Sequence, residues 1–310
     1  MLKNFLADHL KGYFEGEDLF ALVDRLHGEV FRKIDDRRTI KVRIGTAGYF
    51  AKIHQGVGWV EILKNLMQGR LPVLGARNEW LALCALRNAG VRSMTPVLFC
   101  ERGLNPATRK SAILTESLES KVTLEDFEPG EPVLKRKLVT EVASMARKMH
   151  KAGINHRDFY LCHFLMDAPP AEDPEEATEE DKEPVLHLID LHRALIRQNV
   201  PRRWVVKDLG GLLFSAFEKD LTRRDLLRFV RIYSDRPLRE VLVKDAEIWD
   251  EVVERATKLW FQDHDSLPGG VTRLRARGCR RGLSKRKSGA CFPIMLRPSA
   301  RREKKSTATG

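Results

Sequence analysis

The sequence has no apolar run near the ~18 residues that a membrane-spanning helix needs. Its five cysteines, Cys84, Cys100, Cys162, Cys279 and Cys291, include no C-x-x-C pair. An odd set of unpaired thiols argues against a disulfide framework and a structural zinc site, so reduced thiols are expected. The first residues, Met1-Leu2-Lys3-Asn4-Phe5, lack the apolar stretch of a secretory signal, and a cytoplasmic chain is expected. Internal repeats are missing as well. What is present is a composition of 43% hydrophobic and 32% charged residues over 310 positions, which excludes global disorder and suggests about two domains.

Charge is unevenly placed. The chain carries 55 Lys+Arg against 43 Asp+Glu, a net +12. Residues 271–310 hold 13 of the bases and a single acid, Glu303, so residues 1–270 balance at 42 of each. A tail of this kind, with no helical or strand period, reads as disordered and can bind an anionic surface or remain a solvated extension. Between Glu172 and Glu183, eight of twelve residues are acidic. That stretch, bracketed by prolines over 169–184, reads as an exposed insertion.

Hydrophobic periodicity divides the rest. Residues 4–26 read as a short helical region, and Val30 to Arg38 as a loop. Ile40, Val42 and Ile44 alternate with polar residues, and Gly45-Thr46-Ala47-Gly48 turns the chain into a second strand at Tyr49–His54. Helices are expected over 59–67 and 75–88, followed by strands at Pro96–Cys100 and Ala112–Thr115. Leu138, Val142, Met145 and Met149 then recur at helical spacing up to Gly153. Short strands are expected at Phe164–Met166 and Val185–Ile189, with helices from Trp204 to about Phe261. The expected class is α+β and bilobal: a strand-rich lobe over 1–117, a helical lobe over 118–268 and the tail from 269.

Four features carry chemistry. Lys52 is an ammonium in an apolar strand. Glu79 lies on the apolar stripe of a helix, where an unpaired carboxylate costs several kcal/mol, so Lys52 is its expected partner. His156-Arg157-Asp158 follows the Gly153 cap, and Asp190 ends an apolar strand. This order is that of a protein-kinase-like phosphotransferase, in which a Lys–Glu pair holds nucleotide phosphates, the H-R-D Asp accepts the substrate proton and a later Asp binds magnesium. Glu116, at the end of the Ala112–Thr115 strand, is expected beside the nucleotide. Several protein-kinase features are absent. His163 replaces the Asn five residues after the base, Asp190-Leu191-His192-Arg193 replaces D-F-G, no A-P-E follows, and Val30–Arg38 contains no glycine.

These departures fit another group. Glu61 to Leu66, Leu71 to Ala76, Asn155 to Leu165 with its Cys162-His163-Phe164, Ile189 to Ala194, and Lys207-Asp208-Leu209 to Ala216 resemble the lipopolysaccharide core heptose(I) kinases of Gram-negative bacteria. The resemblance covers roughly residues 1–265. It implies transfer of the ATP γ-phosphate to the first inner-core heptose, at O4, with Mg2+, at the cytoplasmic face of the inner membrane. No nucleic-acid partner is expected. It makes Asp158 the base, Asp190 the metal ligand, Lys52 and Glu79 the phosphate-positioning pair, and Arg157 and Arg193 substrate contacts. His163 is expected to bind metal or phosphate, or to hold Asp190. His156 should pack against the Asp190 segment, and Asp208 should hydrogen-bond the backbone of the catalytic loop. A Cys162–His163 nucleophile is set aside, because adjacent loop residues do not face each other. Two alternatives remain open: a small-molecule or protein kinase on the same fold, and an inactive kinase-like module that docks through its tail.

Overall fold

A computed structural model describes residues 4–14, 18–34, 36–69, 72–118, 121–167 and 184–265. The acidic insertion and the basic tail, with Cys279 and Cys291, lie outside the described residues.

The N-terminal part is a six-stranded antiparallel sheet in the order β1-β5-β6-β4-β3-β2. Its strands are β1 (Phe5–Leu6), β2 (Glu29–Ile34), β3 (Arg37–Ile44), β4 (Ala47–His54), β5 (Pro96–Arg102) and β6 (Lys110–Glu116). The β3–β4 hairpin forms as the alternation predicts, pairing Ile40 with Ala51 and Val42 with Tyr49. Gly45 takes the left-handed conformation that its turn requires (φ 63°). Two expectations are corrected here. Residues 30–38 are not a loop: β2 and β3 pair antiparallel from Glu29 with Lys41 to Ile34 with Arg37, with a register shift between Val30 and Arg32. Nor is the start of the chain helical throughout, because Phe5 and Leu6 pair with Phe99 and Leu98 at the sheet edge. A 3-10 turn (Asp8–Tyr13) and α1 (Leu19–Asp24) follow, and Leu10, Phe14, Phe20 and Val23 pack under the sheet with Ile40, Ile53 and Leu98.

Two helices interrupt the sheet. In α2 (Gly58–Met67) only Ile62 is buried, while Trp59, Val60, Leu63, Leu66 and Met67 face outward, Val60 and Met67 being more than four-fifths exposed. By contrast α3 (Arg77–Asn88) buries Glu79, Trp80, Ala82, Leu83 and Leu86. Trp80 stacks on Phe99 of the sheet, with ring centroids 5.2 Å apart.

The C-terminal part is helical: α4 (Pro132–Lys151), α5 (Arg202–Ser215), α6 (Arg223–Ser234), α7 (Leu238–Lys244) and α8 (Ala246–His264). Small ladders join them, β10 (Leu186–Leu188) to β9 (Phe164–Asp167) to β7 (Lys121–Thr123), and β11 (Leu195–Ile196) to β8 (Ile154–Asn155). One apolar core runs from α3 and Phe99 through Met145 and Met149 of α4 to Leu209 of α5 and Val252 of α8. Between α4, α5, α6 and α8 lies an apolar cavity of about 140 Å³, lined by Leu138, Val142, Leu212, Phe229, Trp249 and Val252 among others. At Gly153 (φ 78°) a Cβ would lie 1.8 Å from the Arg197 carbonyl oxygen, so only glycine lets β11 close against the segment that enters the catalytic loop. Among the described residues, no helix is long and apolar enough to cross a membrane.

Candidate phosphotransfer site

Lys52 lies on β4 between β3 and β6, opposite Thr39 and Ile113, so it is not an edge residue. Its ammonium meets the Glu79 carboxylate of α3 at 2.6 Å. Glu79 is only 1% exposed, and a carboxylate so buried requires a cationic partner.

Asp158 follows the first ladder residues of β8. Its carboxylate accepts two hydrogen bonds from Arg193 Nη1, at 2.9 and 3.0 Å. Each carboxylate oxygen has two lone pairs, so a place remains for an acceptor hydroxyl. The loop around Asp158 is held from within. Asp208 of α5 accepts the backbone N–H groups of His156 and Arg157, both at 2.8 Å, and is also met by His150 Nε2 at 3.3 Å. His150 in turn contacts the Tyr233 hydroxyl at 2.8 Å. His156 is fully buried and its Nε2–H donates to the Ile189 carbonyl at 2.9 Å, as the packing role expected for it requires. Burial depresses the pKa of its ring, which suits a neutral structural imidazole.

His163 links the two acidic positions. Its Nδ1–H donates to the Asp158 carbonyl at 2.6 Å, and its Nε2 lies 3.6 Å from Asp190 Oδ2. In the neutral ring that bond leaves Nε2 a lone-pair acceptor. A lone pair and a carboxylate oxygen this close fit two ligands of one cation, although imidazole is softer than magnesium prefers. Asp190 also meets His192 Nδ1 at 2.5 Å. Burial opposes its charge, but the His192 hydrogen bond and charge, with the charge of Lys52, outweigh burial and hold the carboxyl well below its usual range. Among the described residues, no group of three or more His, Cys, Asp or Glu side chains is placed to hold a metal. Asp190 Oδ2 and His163 Nε2, 3.6 Å apart, are the two donors that this end of the site brings together.

Arg157 and Asp190 both have left-handed backbones, with φ of 76° and 60°. Such strain, roughly 1–3 kcal/mol per residue, concentrates where a site imposes it. Arg157 lies 5.4 Å over the Trp204 ring, while Arg193 holds Asp158. Glu116 closes β6; its N–H is taken by the Thr95 carbonyl and the next amide, Ser117, donates to Gly48. Its carboxylate, after burial, helps push up the Tyr49 phenol pKa. Burial, then the charge of Glu125, raises the Cys162 thiol to about 11, which disfavours the thiolate a nucleophile needs.

The structure thus brings together Lys52 with Glu79, Asp158 with Arg193, and Asp190 with His163. Sequence reasoning passed over His192, although its i+2 spacing from Asp190 was a usable signal. It also missed the assembly around Trp204.

Comparison with known proteins agrees with this geometry. The profile of the lipopolysaccharide kinase (Kdo/WaaP) family matches residues 22–233. The lipopolysaccharide core heptose(I) kinase WaaP of Pseudomonas aeruginosa strain PAO1 is 46% identical over 263 residues, covering 82% of this chain and 95% of the relative. The Escherichia coli K12 protein of the same name is 44% identical over 260 residues, covering 82% and 96%. A solved structure, WaaP in complex with acyl carrier protein, superposes with a TM-score of 0.70 at 41% identity, covering 84% of this chain and 100% of that one. Fold, site order and sequence agree, and the chain belongs to the lipopolysaccharide kinase (Kdo/WaaP) family.

Proposed function

We propose that this chain transfers the γ-phosphoryl group of ATP to a hydroxyl of the first inner-core heptose of lipopolysaccharide, O4 by family resemblance. The observation that carries the reading is the assembled Lys52–Glu79 pair, 2.6 Å apart on a central strand and a buried helix. An inactive docking module has no use for a buried charge pair directed toward the Asp190 side of the site.

In this reading the acceptor hydroxyl donates its hydrogen bond to Asp158. Its oxygen forms the new bond to the γ-phosphorus, the bond to the bridging oxygen breaks, ADP leaves, and the proton passes to the Asp158 carboxylate. Arg193 fixes that carboxylate, so positioning costs little when the hydroxyl arrives. Lys52, oriented by Glu79, contacts the nucleotide phosphates. Asp190, with His163, would hold Mg2+, which when bound neutralises charge on the phosphate oxygens.

The acceptor is lipid-anchored, and we place the enzyme peripherally at the inner membrane. Support comes from the outward apolar face of α2, a mode of interfacial attachment that needs no spanning helix, and from the basic sequence of the tail. Association with an acyl carrier protein extends to this chain from the solved relative, and the apolar cavity between α4, α5, α6 and α8 suits an aliphatic chain.

The test is incubation of the purified chain with labelled ATP and lipopolysaccharide from a strain lacking core phosphate. Label should enter the saccharide and be lost with Asp158→Asn. Transfer to water or to protein, with none to the saccharide, rejects the reading.

A further inference from the structure

Trp204, in the first turn of α5, is ringed by cations. Arg203, Lys207, Arg157 and Arg197 lie 5.2, 5.3, 5.4 and 5.6 Å from its ring centroid. Each is within cation–π range, but an indole has only two faces and cannot offset the mutual repulsion of four charges. Two carboxylates stand near, and both are already engaged. Asp208 spends its oxygens on the His156 and Arg157 amides and on His150. Asp158 is held by a further cation, Arg193. Arg202, next in sequence, is paired with Glu247 and Glu251 and adds nothing here.

The assembly carries a surplus of positive charge, and its cost is visible. Burial, then the charge of Arg193, lowers the pKa of Arg157; burial, then Arg157 and Arg193, lowers that of Lys207. Arg157 Nε and Trp204 Nε1 are buried without a hydrogen-bond acceptor among the described residues. Arg197 Nη1 donates to the neutral Asn155 Oδ1, which takes up a donor but no charge; positive charge stays in excess, and what it lacks is an oxyanion.

The assembly is not the nucleotide end of the site. The charges acting on Arg157 are Arg193, Asp158, Arg197 and Asp208, whereas those acting on Asp190 are His192, Lys52 and His163. Asp158 is covalently next to Arg157, and its carbonyl is held by His163. The base therefore stands between a nucleotide end and a cationic end.

We infer that Trp204 with Arg157, Arg197 and Lys207 forms an acceptor subsite that seats an oxyanion, a carboxylate or phosphate of the saccharide, so that the neighbouring hydroxyl reaches Asp158. The inference rests on the proposed sugar-kinase activity, and Arg193 serves both halves, clamping the base while adding charge to the subsite.

The test uses the full chain and a water-soluble deacylated acceptor. Kinetics are compared for wild type, Arg197→Gln, Lys207→Gln and Trp204→Leu, with Lys207→Arg as the charge-preserving control. Losing one charge-assisted contact should raise the acceptor KM roughly tenfold or more, leave the ATP KM within about twofold, and be largely rescued in Lys207→Arg. Two altered acceptors separate the sources of the anion, one with its carboxyl groups amidated and one with its phosphate monoesters removed. Whichever raises the wild-type KM to the variants' level, without further effect on the variants, names the group. An increase in ATP KM instead, no change in either KM, or indifference of the wild type to both altered acceptors overturns the subsite. A second readout does not depend on sugar transfer. With the nucleotide site saturated by a non-hydrolysable ATP analogue, inorganic phosphate should raise the Tm of the wild type more than that of the Arg197→Gln/Lys207→Gln double variant. Equal shifts overturn the subsite even if transfer is seen, and a larger wild-type shift supports it even if no saccharide is phosphorylated.

Discussion

Replacing Lys52 by Met removes the ammonium but keeps most of the aliphatic stem. Glu79, 1% exposed, is then left as a buried carboxylate without its partner at 2.6 Å. Breaking a buried pair from one side typically costs about 3–5 kcal/mol, while replacing both partners with apolar groups is often neutral or better. In a chain of this size each kcal/mol moves Tm by roughly 2–4 °C, so Lys52→Met should melt on the order of 10 °C lower. The double variant Lys52→Met/Glu79→Leu should recover most of that loss, a coupling that a double-mutant cycle reads directly. Phosphotransfer, in contrast, should remain absent in both, because the ammonium that positions the nucleotide phosphates is missing from each. Thermal melts and single-turnover transfer of labelled phosphate on the four cycle members decide the matter. A double variant as unstable as Lys52→Met would refute the claim that the cost is an orphaned charge. Normal turnover in either variant would refute the role given to Lys52.

Three other outcomes are expected. Asp158→Asn keeps the shape of the side chain but not the base, and kcat should fall about 10²–10⁴-fold with folding intact; near-normal single-turnover transfer would reassign the residue. Burial, with the charges of Arg37, Lys52 and His192, lowers the pKa of His54 to about 4. The fold therefore favours its neutral ring, and stability is complete above pH ~6.5 and lost as pH falls toward 4, about 2 kcal/mol by pH 5. Denaturant unfolding of wild type and His54→Gln between pH 7 and 5 should show the slope flattened in the variant, and parallel slopes would contradict this. Leu66→Ser/Met67→Ser on the exposed face of α2 should weaken flotation with anionic liposomes while leaving turnover on deacylated acceptor unchanged, and undiminished flotation would remove α2 from the membrane contact.

Residues whose signal is local were legible in the sequence. Lys52 stood out as a charge in an apolar strand, Glu79 as a carboxylate on a helical stripe, and Asp158 and Asp190 by short motifs. The β2–β3 hairpin was not legible. Val30 and Phe31 are largely exposed and the ladder shifts register beside them, so an edge strand rich in charge showed no clean alternation. The strand Phe5–Leu6 has only two residues, too few to carry a period. The ring of cations on Trp204 draws on residues 157, 197, 203 and 207. Positions 157 and 197 reach it only when β8 and β11 close over Gly153, a tertiary event with no local sequence signature.

The hold of Asp208 on the catalytic loop also bears on how the chain becomes competent. The amides of His156 and Arg157 are fastened to a carboxylate more than fifty residues later in sequence. Closing so long a span comes late relative to helix formation, so the loop takes its shape only once α5 has docked. Native-state hydrogen exchange would then find these two amides among the slow ones of the helical half, opening together with the α5 core rather than with the neighbouring loops. A nascent or partly melted chain would hold no ordered base, and phosphotransfer would switch on with the last cooperative step of folding.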